Sequence, residues 1–235
     1  MAIMNEWLVF SLILLGIWLI IFLLKKSIRK KMFLVSLFTM PFGLTEPLFV
    51  PEYWDPPSLF NLAANTGFDI ESLIFSFAIG GIGAVIYEAF FKIRHEKMSK
   101  KEMYGRKHKF HFWALFSPII IFLPLLFLTD LNPIYSASIA MFIGGVVATL
   151  CRPDLKKKVF VGGILFLILY FLFFLIFNLF YPNAVYNYWN LSAISGILVL
   201  GVPLEELIFA FTFGLMWSSV YEHILGYKLK KVIRK

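Results

Sequence analysis

Residues 71–88 read ESLIFSFAIGGIGAVIYE, and residues 205–222 read EELIFAFTFGLMWSSVYE. At one constant offset Glu71, Leu73, Ile74, Phe75, Phe77, Gly80, Tyr87 and Glu88 recur as Glu205, Leu207, Ile208, Phe209, Phe211, Gly214, Tyr221 and Glu222. Apolar matches are common between any two hydrophobic helices. Two matched glutamates are not, because an ionisable group at hydrocarbon depth costs about 2.5–3.5 kcal/mol on insertion scales. Such a group needs a partner, water or a function. The repeat therefore points both to the architecture and to a candidate site.

The surrounding composition agrees. Of 235 residues, 60% are hydrophobic, and the mean hydropathy is +0.82, against about 45–50% apolar in soluble domains. An all-α integral membrane protein is expected. Seven apolar runs are long enough to span a bilayer, at about 7–24, 32–50, 68–91, 112–129, 134–150, 159–180 and 193–225. The last has room for a break. All 22 Lys and Arg fall in or beside four alternating connections, 25–31, 92–109, 152–158 and 228–235. The connections around Pro51, Asp130 and Tyr186 hold none. By the positive-inside rule, the protein is expected as a multi-pass protein of the cell membrane, N-terminus outside and C-terminus cytoplasmic. Topogenic lysines beside anionic headgroups account for the net charge of +8 without nucleic acid as a partner. The first run lacks a basic n-region and precedes five basic residues, which suits a retained anchor rather than a cleaved signal. The lone Cys151 excludes an intrachain disulfide and a CxxC site.

The second and third spans match the sixth and seventh. Each pair encloses an aromatic outer loop, Pro51-Glu52-Tyr53-Trp54-Asp55 in one and Tyr186-Asn187-Tyr188-Trp189-Asn190 in the other, so that Trp54 answers Trp189 after a one-residue gap. Both copies enter from the same side, the pattern of parallel repeats about an axis along the membrane normal. The expected plan is 3+1+3: a three-helix repeat over residues 1–111, a linking helix over 112–133, and a second repeat over 134–235. A short helix is expected from Ser58 to Asn65, broken at Gly67. Another is expected from Leu191 to Val202, ahead of a helix starting at Pro203. The alternative is one kinked helix from Ser192 to Leu225.

Glu205 and Glu206 project about 100° apart on a helix, so one can face a cavity while the other orients it or pairs elsewhere. Carboxyls beside an apolar slot suit general acid–base work. The plainer reading makes both ordinary helix N-terminal acids, and the echo at Glu71 weighs against it. Glu46, late in the second span before Pro47, is a further candidate to line the cavity of Glu71. Glu88 and Glu222 read more simply as interfacial anchors compensated by Lys92 and Arg94, or by Lys228. Asp69 reads as a helix N-cap. Phe75, Phe77, Phe209, Phe211 and Trp217 are candidates to line a slot for a long polyene and a carbocation, although for each of them packing or lipid contact is the commoner role. His95, His108, His111 and His223 lie in basic connections or at cytoplasmic helix ends. No acid or cysteine sits at ligand spacing beside them in sequence, so no metal and no cofactor are expected. Gly80-Gly81-Ile82-Gly83 reads as close helix packing, not as a nucleotide loop.

The stretch Tyr188-Trp189-Asn190, then Gly196, Pro203-Leu204-Glu205-Glu206-Leu207, the run Phe209 to Phe213, Gly214, Trp217 and Tyr221-Glu222 resembles the membrane-integral lycopene cyclase domain. This is the small, non-flavin type found in bacteria, archaea and fungi, in which units of about three spans pair as subunits or as a fused tandem. The resemblance covers nearly the whole chain as two fused units. It implies closure of a β-ionone ring on lycopene or a related isoprenoid, without net redox change. An acid protonates the terminal alkene, the neighbouring alkene attacks the cation, and a base removes a ring proton. Glu205 and Glu206 match the motif, with Glu71 as the opposing wall. Glu46, Trp54, Trp189 and Pro203 join the aromatic residues above as implied substrate contacts. Carotenoid-pathway enzymes, or a second copy of the chain, are candidate partners. The first copy departs from the pattern, since Phe68-Asp69-Ile70-Glu71-Ser72 lacks the proline and the second glutamate.

Rival readings fare worse on the residues. A small-solute transporter with parallel 3+1+3 helices is the main alternative, yet mid-span Asn, Gln and charge are scarce. A glutamate-dependent intramembrane protease would need an arginine near Ala210 and histidines within spans. A retinal protein would need a lysine inside the last span. A prenyltransferase would need paired aspartates, and Asp55, Asp69, Asp130 and Asp154 stand apart.

Overall fold

The structure, a computed structural model, describes residues 5–103 and 111–231. His108, and Arg106, Lys107, Lys109, Arg234 and Lys235 of the charge pattern above, lie outside the described residues. Helix α1 (Glu6–Leu24) starts at Asn5, whose side chain accepts the Leu8 amide at 2.6 Å. It is followed by α2 (Arg29–Thr39), α3 (Leu62–Thr66), α4 (Ile70–Phe90), α5 (Lys100–Met103), α6 (His111–Leu128), α7 (Pro133–Cys151), α8 (Lys156–Phe180), α9 (Ala184–Tyr188), α10 (Leu204–Trp217) and α11 (Val220–Leu225). Four short strands, β1 (Ile93–Lys97), β2 (Leu198–Val199), β3 (Val202–Pro203) and β4 (Tyr227–Lys231), pair as β1–β4 and β2–β3. The chain is nearly all α-helical. Among the described residues, five helical segments are long and apolar enough to cross a membrane: α1, α4, α6, α7 and Pro153–Phe180, which contains α8.

The other two expected spans are interrupted, each for a local reason. After Thr39 the chain tightens into a 3-10 helix over Met40–Leu48, where Pro41 and Pro47 each remove a backbone donor. The last run does not form one kinked helix from Ser192, nor does a helix form over Leu191–Val202. A two-residue hairpin, β2–β3, takes its place, with Gly196 and Gly201 at φ of 68° and 83°, a left-handed backbone that favours glycine. Helix α10 then begins directly after Pro203, and a turn at Ser218–Ser219 separates it from α11. The expected helix near Ser58–Asn65 does form, as a 3-10 turn over Leu59–Asn61 running into α3, and it stops at Gly67 with φ 78°. Asp69 caps α4, accepting from the Ser72 amide and, at 3.0 Å, from its hydroxyl.

Helix α4 packs on α1 and α2, α10 packs on α7 and α8, and α4 also meets α8 and α10. Helix α6 lies against α7 with most of its side chains facing outward. Small residues permit these approaches. A Cβ on Gly80 would collide with Thr39 of α2, one on Gly81 with Ser36 and Trp18, and one on Gly214 would come within 2.7 Å of Phe166 Cβ on α8. The outer faces carry residues such as Leu24, Phe112, Leu128, Leu150 and Leu179, a surface suited to hydrocarbon.

The two ends of the bundle differ. At one end the aromatic loops meet: Trp54 and Trp189 form an antiparallel bridge, with Asp55 N donating to Tyr188 O at 2.8 Å and Asn190 N to Tyr53 O at 2.9 Å. At the other end the described basic connections gather, and β1 pairs with β4, Ile93 opposite Lys231 and Lys97 opposite Tyr227. The offset that relates Glu71 to Glu205 also relates Ile93 to Tyr227.

Candidate functional site

At the aromatic end, besides the capping Asp69, three described glutamates are buried: Glu71, Glu205 and Glu206. Their surroundings separate them into two kinds. Glu205 Oε1 accepts from Tyr135 Oη on α7 at 2.6 Å and from the Ser195 amide at 3.0 Å. Glu71 Oε1 accepts from Asn5 Nδ2 at 2.8 Å and from the Leu59 amide at 2.7 Å. Each therefore ties a side-chain donor from a neighbouring span to the backbone of the loop ahead of its own helix. Each also keeps a buried Oε2 without a hydrogen-bond partner.

Glu206 touches no loop backbone in this way. It accepts from Tyr53 Oη at 2.5 Å, Trp189 Nε1 at 2.9 Å and Tyr170 Oη at 2.9 Å. Trp189 Nε1 also lies 3.2 Å from Tyr53 Oη. Tyr53 comes from the first outer loop, Trp189 from the second, and Tyr170 from α8, so both halves of the chain supply donors to one carboxyl. Burial, first, and the Glu206 carboxylate, second, push the Tyr53 phenol well above its ordinary pKa, so it keeps its proton and donates. No lysine or arginine compensates Glu206 through a hydrogen bond or ion pair among the described residues. Its position in the first turn of α10 supplies the favourable end of the helix dipole.

Aromatic faces surround this carboxyl. Trp54 lies 5.2 Å from Trp189 and 4.4 Å from Trp7, centre to centre, and Phe174 lies 5.6 Å from Trp189. Phe75 reaches Trp7 at 5.3 Å, and Phe209 reaches Tyr170 at 6.3 Å. A narrow cleft, with room for little more than a water, lies on the far side of Trp54 and Trp189, lined by Glu6, Trp7, Phe10, Phe177 and Tyr188 with those two indoles; Glu206 is behind it, not in its wall. Pro203 is buried immediately before α10 and pairs in the β2–β3 hairpin. Glu46 is placed beside Trp54 and Ser72, the residue at the position of Glu206 in the first copy.

The remaining expected aromatics do not join this group. Phe77 packs on Trp18 and Phe33, and Phe211 on Phe160. Trp217 sits further along α10, stacked on Phe213 at 4.9 Å with its Nε1 donating to Thr39 Oγ1 at 2.8 Å. Sequence reasoning did not single out Tyr170, Tyr135 or Asn5. Tyr170 had a usable signal, as the one hydroxyl in a run over 159–180 whose only other polar side chain is Asn178 near its end.

The second matched pair of glutamates forms a separate cluster at the basic end. Lys31 Nζ lies 2.6 Å from Glu88 Oε1 and 2.7 Å from Glu222 Oε1, and Lys158 Nζ lies 2.6 and 2.8 Å from the same two oxygens. His95 Nε2 lies 2.8 Å from Glu222 and 3.3 Å from Glu88. These glutamates are buried and cross-linked between the halves. Their compensation comes from Lys31 and Lys158, not from Lys92, Arg94 or Lys228 as expected.

With this geometry in place, comparison with known proteins identifies the family. The family model described as Lycopene cyclase matches residues 5–90 and 132–224, two segments that leave out α6 and the connections on either side of it. The match spans well over half of the sequence, and the chain belongs to the lycopene cyclase family. No curated protein and no solved structure matches it. The solute-carrier alternative finds no support in the match.

Proposed function

We propose that this member of the lycopene cyclase family closes a β-ionone-type ring on lycopene or a related linear isoprenoid, with Glu206 as the reacting carboxyl. The observation that carries this reading is the convergence of Tyr53, Tyr170 and Trp189 on Glu206 behind an apolar cleft. The other two candidate carboxyls are engaged with loop backbone, which suits a positioning role for Glu71 and Glu205.

The reaction needs no net redox change. Glu206 first takes up a proton, with a tyrosine hydroxyl turning from donor to acceptor; that proton then passes to the terminal carbon–carbon double bond, whose π pair forms the new C–H bond and leaves a tertiary carbocation. The internal alkene attacks that cation and closes the ring. A ring proton then returns to a base, a role open to the same carboxylate once it has given up its proton. The faces of Trp54, Trp189 and Phe174 suit stabilisation of the intermediate cation, and their bulk keeps water from intercepting it. The cleft as it stands is far smaller than ordinary ligand pockets, so an end group enters only when the surrounding aromatic side chains part, with the rest of the polyene running along the lipid-facing surface.

The fold proposed around this site retains seven spans, with the interrupted segments at 29–48 and 204–225 counted as two of them. It retains the parallel 3+1+3 plan over 1–111, 112–133 and 134–235, with the N-terminus outside and the C-terminus cytoplasmic. The antiparallel meeting of Trp54 with Trp189 and of β1 with β4 supports a two-fold axis along the bundle, since equivalent segments lying across such an axis run antiparallel.

The test is expression in cells that accumulate lycopene, followed by pigment analysis. Monocyclic or bicyclic product is expected from the wild type, and only residual product from Glu206→Gln. A chain inserted in the membrane that leaves lycopene unchanged would overturn the cyclase reading. Full activity in Glu206→Gln would overturn the assignment of the carboxyl.

A further inference from the structure

At the basic end, three residues far apart in sequence come together: His111, the first residue of α6; Cys151, the last of α7; and His223 in α11. One ligating atom from each lies within 4.8 Å of those of the other two. His111 Nδ1 is 3.8 Å from Cys151 Sγ, and the two imidazoles stack with centres 5.2 Å apart. The backbone fixes the state of both rings. His111 Nε2 faces the His223 carbonyl oxygen, and His223 Nδ1 faces the Ser219 carbonyl oxygen at 3.0 Å. A carbonyl only accepts, so each of those nitrogens carries the hydrogen. In the neutral rings this makes His111 Nδ1, which faces Cys151 Sγ, and His223 Nε2 the acceptor nitrogens. His223 is 1% exposed, and its Nε2 is buried without a hydrogen-bond partner.

We infer that His111, Cys151 and His223 form a binding site for a soft or borderline transition ion, zinc(II) or copper(I). A ligating histidine characteristically donates its second nitrogen to a carbonyl or carboxylate, which orients the ring, and both rings here are held in that way. Zinc at about 2.3 Å from sulfur and 2.0–2.1 Å from nitrogen sets tetrahedral S···N separations near 3.6 Å, close to the 3.8 Å between Cys151 and His111. Binding would draw the remaining nitrogen inward. Two imidazoles and a thiolate select zinc or copper over calcium and magnesium. The nearby buried Arg152 is already paired with Asp154, at 2.7 Å, so it does not oppose the ion as an uncompensated charge. A simple thiol hydrogen bond to His111 would account for one contact and leave His223 Nε2 unexplained. The site lies at the opposite end of the bundle from Glu206, beyond the whole of α10 and the turn at Ser218–Ser219. Its role is therefore to clasp the ends of α6, α7 and α11 together, not to take part in the chemistry of that carboxyl.

The test uses detergent-purified, tag-free full-length protein, incubated separately with zinc(II) and with copper(I) and then dialysed. One retained ion per chain is expected in wild type, with loss to background in Cys151→Ser and His223→Gln, and a higher melting temperature for the loaded wild type only. Cobalt(II) should give a sulfur-to-metal charge-transfer band that Cys151→Ser abolishes. If His223→Gln does not fold, the near-isosteric Cys151→Ser carries the comparison. No retained ion of either kind in wild type, or wild-type retention in Cys151→Ser, overturns the site.

Discussion

Replacing Lys158 by methionine removes one of two cations from the buried cluster at the basic end. With His95 neutral, as at high pH, Lys31 and Lys158 contribute two positive charges and Glu88 and Glu222 two negative, a sum of zero that becomes −1 in the variant. Lys158 Nζ lies 2.6 and 2.8 Å from the two carboxylates, with 1% of its side chain exposed. At an effective dielectric constant near 20, each contact of that length is worth about 6 kcal/mol of gross attraction, most of it cancelled by the cost of taking the ions out of water. Removing one member of a buried pair costs about 3–5 kcal/mol, because the survivor is left buried and uncompensated. Lys158 serves two carboxylates, which places it near 5 kcal/mol. At about 2–4 °C per kcal/mol for a chain of this size, the melting temperature should fall by roughly 10–20 °C. The assay is thermal unfolding of the detergent-purified protein, with the exposed Lys157→Met as the control. Combining Lys158→Met with Glu222→Gln brings the charge back to zero and should recover most of the loss. If Lys158→Met melts within about 3 °C of Lys157→Met, or if the double variant is worse than the single one, the cluster does not hold the halves together as described.

His95 gives this cluster a pH dependence. Burial alone would lower its pKa, but hydrogen bonds to Glu222 and Glu88 hold it above the ordinary histidine value. Its contribution to stability is thus full below the unfolded value of about 6.5 and lost as pH rises through the folded pKa. Melting curves should show wild type gaining on His95→Gln at pH 6 relative to pH 8.5, and a gap that does not change with pH would refute this. Glu206→Gln should lower cyclisation by about 10²–10⁴-fold, the usual worth of a positioned acid or base. Tyr170→Phe, which removes one hydrogen bond to a charged group worth about 1.5–3 kcal/mol, should lower it by roughly 10–100-fold. Turnover of lycopene in membranes, normalised to protein, measures both. Gly214→Val should destabilise by about 1–3 kcal/mol through overpacking against Phe166 and Gly163, whereas Gly16→Ala, with nothing within 4 Å of its added methyl, should be neutral in the same melting assay.

The residues that order themselves by local rules were legible in the sequence. Long apolar runs with alternating basic connections fix a helical chain suited to a membrane. Asp69 before Ser72 announces a cap, Gly67 a helix stop and Pro203 a helix start. The paired glutamates mark the two ends of α4 and of the α10–α11 segment. Where two local signals competed, the sequence was ambiguous, as over 191–203, where left-handed glycines overrode the apolar pattern and produced a hairpin. Tertiary structure alone decided the partners. Glu205 and Glu206 are neighbours of one type, yet one is tied to the Ser195 amide while the other is ringed by Tyr53, Tyr170 and Trp189, because adjacent positions on a helix face different neighbours. Phe77 and Phe211 left the expected slot for the same reason. Glu88 and Glu222 found Lys31 and Lys158, and His111 found Cys151 and His223, across separations of 40 to 191 residues. Hydropathy and periodicity describe which face of a helix is apolar, and they carry no information about which distant side chain will meet it. That is set by the approach of whole helices, which here depends on where glycines let α4 and α10 come close to their neighbours.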